Sequence, residues 1–294
     1  MAEGLRDPVV AGFDLSDSSR RAAQWAAGEA ARRRRPLLLL HVLSWPFEDF
    51  VPIRVPGEEQ VTEPLQRALQ REMEALRARF QQADPDLVVE VRLPMGDPAR
   101  SLGEIAAESE LLVLGGPKVG RDSHPLGATA VELLSRRSGA PVVVVRGEDS
   151  PPDGPVVVGV DGSGVSRRAV GYAFEAAAQR GGELVAVHSW SDVPFNPFDV
   201  LDEWELQWGE IRDKSEVVLA EALAGWQEEF PTVEVRRVVT AAEPVGTLLG
   251  EARGASLLVV GSHGRGAVRR ALLGSVSHGI VNRAPCPVAV VPAK

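Results

Sequence analysis

The sequence holds one cysteine, Cys286, in 294 residues. A single thiol closes no internal disulfide and builds no zinc site, which fits a reducing compartment. Its neighbours are apolar, which raises a thiol's pKa and points to a packing residue rather than a nucleophile. Long hydrophobic runs are missing too: nothing approaches the about 20 apolar residues of a membrane span. The opening, "MAEGLRDPVV", lacks the apolar stretch of a signal peptide, and strand-like sequence begins by Val9. The expected location is therefore the cytoplasm, with no membrane partner. Positive charge is also in deficit. Lys and Arg number 32 against 41 Asp and Glu, a net charge of −9. That argues against a general nucleic-acid binder, whose affinity rests on neutralising phosphates. The one concentrated basic feature, Arg32 to Arg35, closes a helix-like stretch, "SSRRAAQWAAGEAARRRR". Cations there complement the helix macrodipole; a docking patch for an anionic partner is the other reading.

What is present describes a soluble globular chain, 44% hydrophobic and 25% charged, long enough for two domains. The two are copies. Laid over each other, "PVVAGFDLSDSSRRA" (Pro8 to Ala22) and "PVVVGVDGSGVSRRA" (Pro155 to Ala169) agree at ten of fifteen positions. The echo runs on at an offset of 146 to 147 residues. It aligns His41 with His188, "ELLVLGG" at Glu110 with "SLLVVGS" at Ser256, and "APVVVVR" at Ala140 with "CPVAVVP" at Cys286. This predicts one domain over 1–147, a linker over 148–154 and a second domain over 155–294. The join, "RGEDSPPDGP", has the Pro, Gly and charge of a linker.

Within the first copy, strands are expected near Val9–Phe13, Leu37–Leu43, Leu87–Leu93, Leu111–Leu114 and Pro141–Arg146. Between them, Leu65, Leu69, Met73, Leu76 and Phe80 recur at helical spacing and give one buried face. The strands are almost continuously apolar, so both sheet faces are covered. The pattern is α/β: two tandem, doubly wound, five-stranded parallel sheets with right-handed crossovers, Rossmann-like. Ligands in such sheets bind beyond the carboxyl ends of strands, where the strand order reverses.

Two loops of the second copy leave such ends with useful chemistry. Asp161 follows the first strand at once, where it could bind a ribose hydroxyl or adenine edge; Asp161 or Ser163 could equally just cap the next helix. The later loop, "GSHGRGAVRRALLGSVSHG", spaces its glycines as G-x2-G-x9-G-S at Gly261, Gly264, Gly274 and Ser275. Gly261 and Gly264 would let the backbone take positive φ and approach a ligand closely. Gly274–Ser275 opens a helix whose first amides, at Ser275, Val276 and Ser277, would face an anion together with the two serine hydroxyls. Arg265, Arg269 and Arg270 add positive potential. Together these would cradle phosphates; the plain alternative is a glycine-rich turn that shapes the strand-to-helix join. It is neither a Walker loop nor G-x-G-x-x-G.

These residues resemble the universal stress protein family over both halves. The resemblance is carried by "VVVGVDGS", "VAVHS", "LLVVGSHGRG", "LLGSVS" and the terminal "CPVAVV". The nucleotide-binding members share the G-x2-G-x9-G-[ST] motif. The resemblance implies an adenine nucleotide alpha hydrolase-like fold and bound ATP. Its phosphates would lie on the glycine loop, its ribose and base near Asp161, and its adenine beside Ser189. Magnesium could be held by Asp161 and the serine hydroxyls through the phosphates. Pairing of the last strands, Pro141 to Val145 and Pro287 to Val291, is implied as an intramolecular pseudo-dimer, with a homodimer as a further assembly. The expected output is a nucleotide-dependent conformation that changes affinity for a protein partner not named by the sequence. A nucleotide-free scaffold and a slow ATP-hydrolysing or adenylating enzyme are the alternatives. The first-strand loop "VDGSGVSRR" lacks the S-G-G-x-D-S pattern of an ATP-pyrophosphatase.

Histidines offer a catalytic story without a partner set. His41 and His188 end the second strands and look like positioning or core residues; His263 could touch phosphate or point to solvent. The first copy departs from the motif: Lys118 stands at the second glycine's place, Asp122 and Pro125 fall within the loop, and Ala128 follows Gly127. Only Asp14 persists, so this half could bind nucleotide or serve as a structural partner. The long acidic and aromatic loops 44–62 and 189–208, with Trp204 and Trp208, read as lids, interface contacts or plain packing.

Overall fold

Segments four to six residues long and rich in valine and leucine form most of the strands, because branched and bulky side chains suit a pleated, buried surface. The computed structural model describes residues 5–44, 58–116, 127–135, 139–147, 150–189, 204–264 and 273–293. The chain divides into two compact units. The first carries β1 (Val9–Gly12), α1 (Asp17–Arg33), β2 (Leu37–Leu40), α2 (Glu58–Ala83), β3 (Val89–Arg92), α3 (Pro98–Ala106), β4 (Leu111–Gly115), α4 (Ala128–Leu134) and β5 (Val142–Val145). Its strands are all parallel and run in the order β3-β2-β1-β4-β5.

The second unit repeats the plan. It holds β6 (Val156–Gly159), α5 (Gly164–Arg180), β7 (Leu184–Ser189), α6 (Trp204–Leu223), α7 (Trp226–Glu229) and β8 (Val235–Thr240). After these come α8 (Pro244–Glu251), β9 (Leu257–Gly261), α9 (Ser275–Arg283) and β10 (Val288–Val291). The order β8-β7-β6-β9-β10 is again wholly parallel. In each unit the order reverses beside the first strand, between β1 and β4 and between β6 and β9.

The core sits on these strands. β2, β5 and β10 are buried along their whole lengths. The expected helix face also packs inward: Leu69, Met73, Leu76 and Phe80 of α2 are buried, while the side chain of Leu65 lies outside the described residues. The full apolar cover does not extend to β3 and β8, each at one end of its unit's sheet, where Glu90 and Arg92, then Arg236 and Arg237, break the run. The first unit's strands other than β4 are also shorter than expected. β2 stops at Leu40, and Leu43 makes only a lone bridge to Met95. The Arg32 to Arg35 run is absorbed structurally: the Arg33 guanidinium bonds Glu29 at 2.7 Å and Glu110 at 3.0 Å, and Arg35 reaches Asp7 at 3.4 Å.

Candidate functional site

At the second unit's reversal, β6 and β9 run side by side, with Val158 opposite Val259. Their next residues form the site. β6 gives way to Asp161, whose Oδ1 accepts the Ser163 amide at 2.8 Å. Gly162 follows with φ 77, a left-handed value that suits a residue without a Cβ. Ser163 is the N-cap of α5 and accepts the Ser166 amide at 3.1 Å. The Ser166 hydroxyl in turn accepts the Asp161 amide at 3.1 Å. The cap reading therefore belongs to Ser163, and Asp161 sets the turn ahead of it. The sequence reading passed over Ser166, although Ser19 occupies the same place in the first repeat and the identity marks it.

β9 ends at Gly261, and the glycines after it are required by close contact. Neither Gly261 nor Gly264 takes positive φ, which corrects the expectation from their spacing. A Cβ on Gly261 would stand 2.9 Å from Val165 Cγ1 of α5, and one on Gly264 only 2.6 Å from Asp161 Oδ2. Gly274 is extended, φ −63 and ψ 152, and serves as N-cap of α9. Its amide donates to Ser262 O at 2.9 Å, and a Cβ on it would meet His263 Cα at 3.4 Å. Ser277 completes the tie: its hydroxyl donates to Gly261 O at 2.8 Å and to Ser262 O at 3.3 Å. That hydroxyl is buried and turned inward, so it does not face an anion as expected; only the Ser277 amide remains for that purpose.

These ties bring Asp161, Gly261, His263, Gly264, Gly274, Ser275, Val276 and Ser277 into one cluster at the end of the sheet. α9 has no side-chain cap, and its first helical bond runs from the His278 amide to Gly274 O at 2.9 Å. The amides of Ser275, Val276 and Ser277 are thus first-turn donors at the positive end of the helix dipole. Ser275 is exposed there. His263 Nδ1 lies 3.1 Å from Ser262 Oγ. Ser189 ends β7 beside Thr240, and its hydroxyl donates to Ala242 O. Arg265, Arg269 and Arg270 lie outside the described residues, as do Lys118, Asp122 and Pro125.

His188 is buried, its Nδ1 2.7 Å from Val160 O; His41 repeats the contact with Phe13 O at 2.6 Å. Both imidazoles hold the chain leaving the first strand, which is the positioning role expected of them. In the first unit Asp14 sits where Asp161 does, accepting from the Ser16 amide at 3.0 Å. Desolvation pushes its carboxyl up, but hydrogen bonds from Ser16 and Ser19 and the nearby charge of His41 outweigh this, leaving its pKa below the usual 3.8. Among the described residues the first unit differs at the matching place. α4 has seven residues against nine in α9, and a Cβ on Gly127 would meet nothing within 4 Å. Gly115 is more crowded than its counterpart Gly261: a Cβ there would fall 2.6 Å from the Ser18 backbone. Among the described residues no group of three His, Cys, Asp or Glu is placed to hold a metal, and no helix is long and apolar enough to cross a membrane. Cys286 is buried, and burial pushes its thiol pKa up to about 12.

The fold and these loops define a tandem α/β protein with two doubly wound parallel sheets and a glycine-shaped cluster at one reversal point. The profile of the universal stress protein family matches residues 6–146 and 154–292, and the chain belongs to that family. A universal stress protein of Mycobacterium tuberculosis H37Rv, Rv2005c, is 38% identical over 96% of both chains. One from Mycolicibacterium smegmatis is 36% identical, again over 96% of both. A crystal structure of a universal stress protein from Archaeoglobus fulgidus shares the fold, with TM-score 0.70, 21% identity and 98% of each chain covered.

Proposed function

We propose that the second unit binds ATP and that the protein acts through a nucleotide-dependent change in conformation or partner affinity. The observation that carries this reading is the mutual contact of the three motif pieces. Asp161 abuts Gly264, His263 abuts Gly274, and Ser277 bonds Gly261, all where doubly wound sheets take their ligands. The triphosphate would lie on the first-turn amides of α9, with the exposed Ser275 hydroxyl as a further donor. Asp161 would face the ribose and base, beyond the carboxylate oxygen that fixes its own turn. Magnesium would arrive on the phosphates, with Asp161 as the nearby carboxylate. The inward turn of the Ser277 hydroxyl would leave that residue its amide alone for the phosphates, and the Ser189 hydroxyl is engaged with Ala242 O. Domain limits of 1–147 and 155–294, a cytoplasmic location and a protein partner belong to the same proposal.

The test is chemical. Protein purified without added nucleotide and then denatured should release about one ATP per chain, read by mass spectrometry. Gly264→Asp should abolish it, because the new side chain enters Asp161's space and sets two carboxylates side by side. A chain that releases no nucleotide and shows no ATP heat by calorimetry is a scaffold instead. Sustained fast production of ADP or pyrophosphate makes it an enzyme.

A further inference from the structure

The segment joining the repeats begins at Arg146, and its first two residues are held against the second unit. Arg146 is 2% exposed, and its Nη2 donates to Asn282 O at 2.8 Å. Asn282 lies in the last turn of α9, the helix whose other end carries the candidate phosphate amides. Gly147 has φ 77, and a Cβ there would fall 2.1 Å from Pro285 O. The start of the linker is therefore seated on the turn between α9 and β10.

Packing alone does not account for the arginine. Among the described residues its Nε and Nη1, both buried, find no hydrogen-bond partner and no carboxylate pairs with it. A buried, incompletely satisfied charge is costly. The aligned residue at the end of the second repeat is Pro292, so the fold itself does not demand an arginine after the last strand. What the guanidinium does have is a place at the negative end of the α9 dipole, where a cation is favoured.

We propose that Arg146 is a positioning residue for the phosphate cradle, gripping α9 by its C-terminal carbonyl and so linking the interdomain linker to nucleotide occupancy. This rests on the ATP reading above. An anion at the start of α9 and a cation at its end favour the same helix in the same position. Linkage is reciprocal: if the grip of Arg146 aids ATP, ATP must strengthen the grip by the same factor.

The experiment uses the full chain. ATP affinity is measured by calorimetry for wild type, Arg146→Met and Arg146→Lys, with thermal midpoints alongside. Amide exchange is followed in peptides spanning Arg146 to Pro155, with and without ATP. Arg146→Met should weaken ATP about three- to tenfold, and Arg146→Lys should recover part of the loss. ATP should slow linker exchange in wild type and lose that effect in Arg146→Met. If Arg146→Met does not fold, the wild-type exchange decides: slowing by ATP supports the proposal, and no change overturns it. A methionine variant of lower thermal midpoint that binds ATP normally, with the linker still responding, makes Arg146 merely structural and overturns it. Wild type that binds no ATP removes the ATP reading first, and this inference with it.

Discussion

Arg34 closes α1 with φ 52, and Gly181 closes α5 at the matching place with φ 62. A left-handed residue with a Cβ costs about 1 kcal/mol that glycine avoids. Arg34 is exposed, so its side chain offers little in return. Arg34→Gly should raise stability by about 0.5–1 kcal/mol, seen as a higher urea midpoint. Leu15 and Gly162 form a second such pair, with φ 70 and 77. Asp14 supports a pH prediction. Its folded pKa lies below the usual 3.8, so its stabilising contribution is complete above that value and fades as pH falls through the folded pKa. Asp14→Asn should flatten the acid limb of the stability curve and leave the neutral region's slope unchanged. None of this was legible from composition. Backbone angles become readable only when two copies are laid together and a glycine in one faces a leucine or arginine in the other.

Helix α9 is placed by one buried hydroxyl and one amide. Ser277 holds Gly261 O, the Gly274 amide holds Ser262 O, and so the helix start is fixed to the end of β9. Ser277→Ala should lower stability by about 1 kcal/mol and weaken ATP several-fold, because it loosens the register of the amides without removing any. Thermal melts and calorimetry on the same sample separate the two effects. Here the sequence located the element and mistook its workings. Glycine spacing picked out Gly261 and Gly264 on the premise of unusual backbone angles, and Gly274 as the opening of a helix. The structure needs them small because Val165, Asp161 and His263 press against them. Spacing records that a Cβ is absent; it does not record what fills the space. Ser277 carried a hydroxyl expected to face an anion, and the fold turns it to the backbone of Gly261 and Ser262 instead.

For the whole molecule, duplication, parallel sheets and domain order were plain in the sequence, since apolar runs and their echo need no side-chain geometry. The incomplete apolar cover of the charged strands β3 and β8 was not, because an end position in a sheet is a matter of topology. The asymmetry between the halves yields a stoichiometric prediction. Titration should saturate near one ATP per chain; Asp161→Asn should weaken it, and Asp14→Asn should leave the ratio unchanged, because among the described residues the first unit differs in its shorter α4 and more crowded Gly115.

The lone thiol also gives the molecule a clock. Cys286 is buried at the entry to β10 with its pKa near the top of the accessible range, so a thiol reagent at neutral pH should wait for that strand to part from its surroundings. With no second cysteine in the chain to add background, each labelled molecule marks one opening event. The rate at which label accumulates, with ATP and without it, times the breathing of the second unit from a single atom.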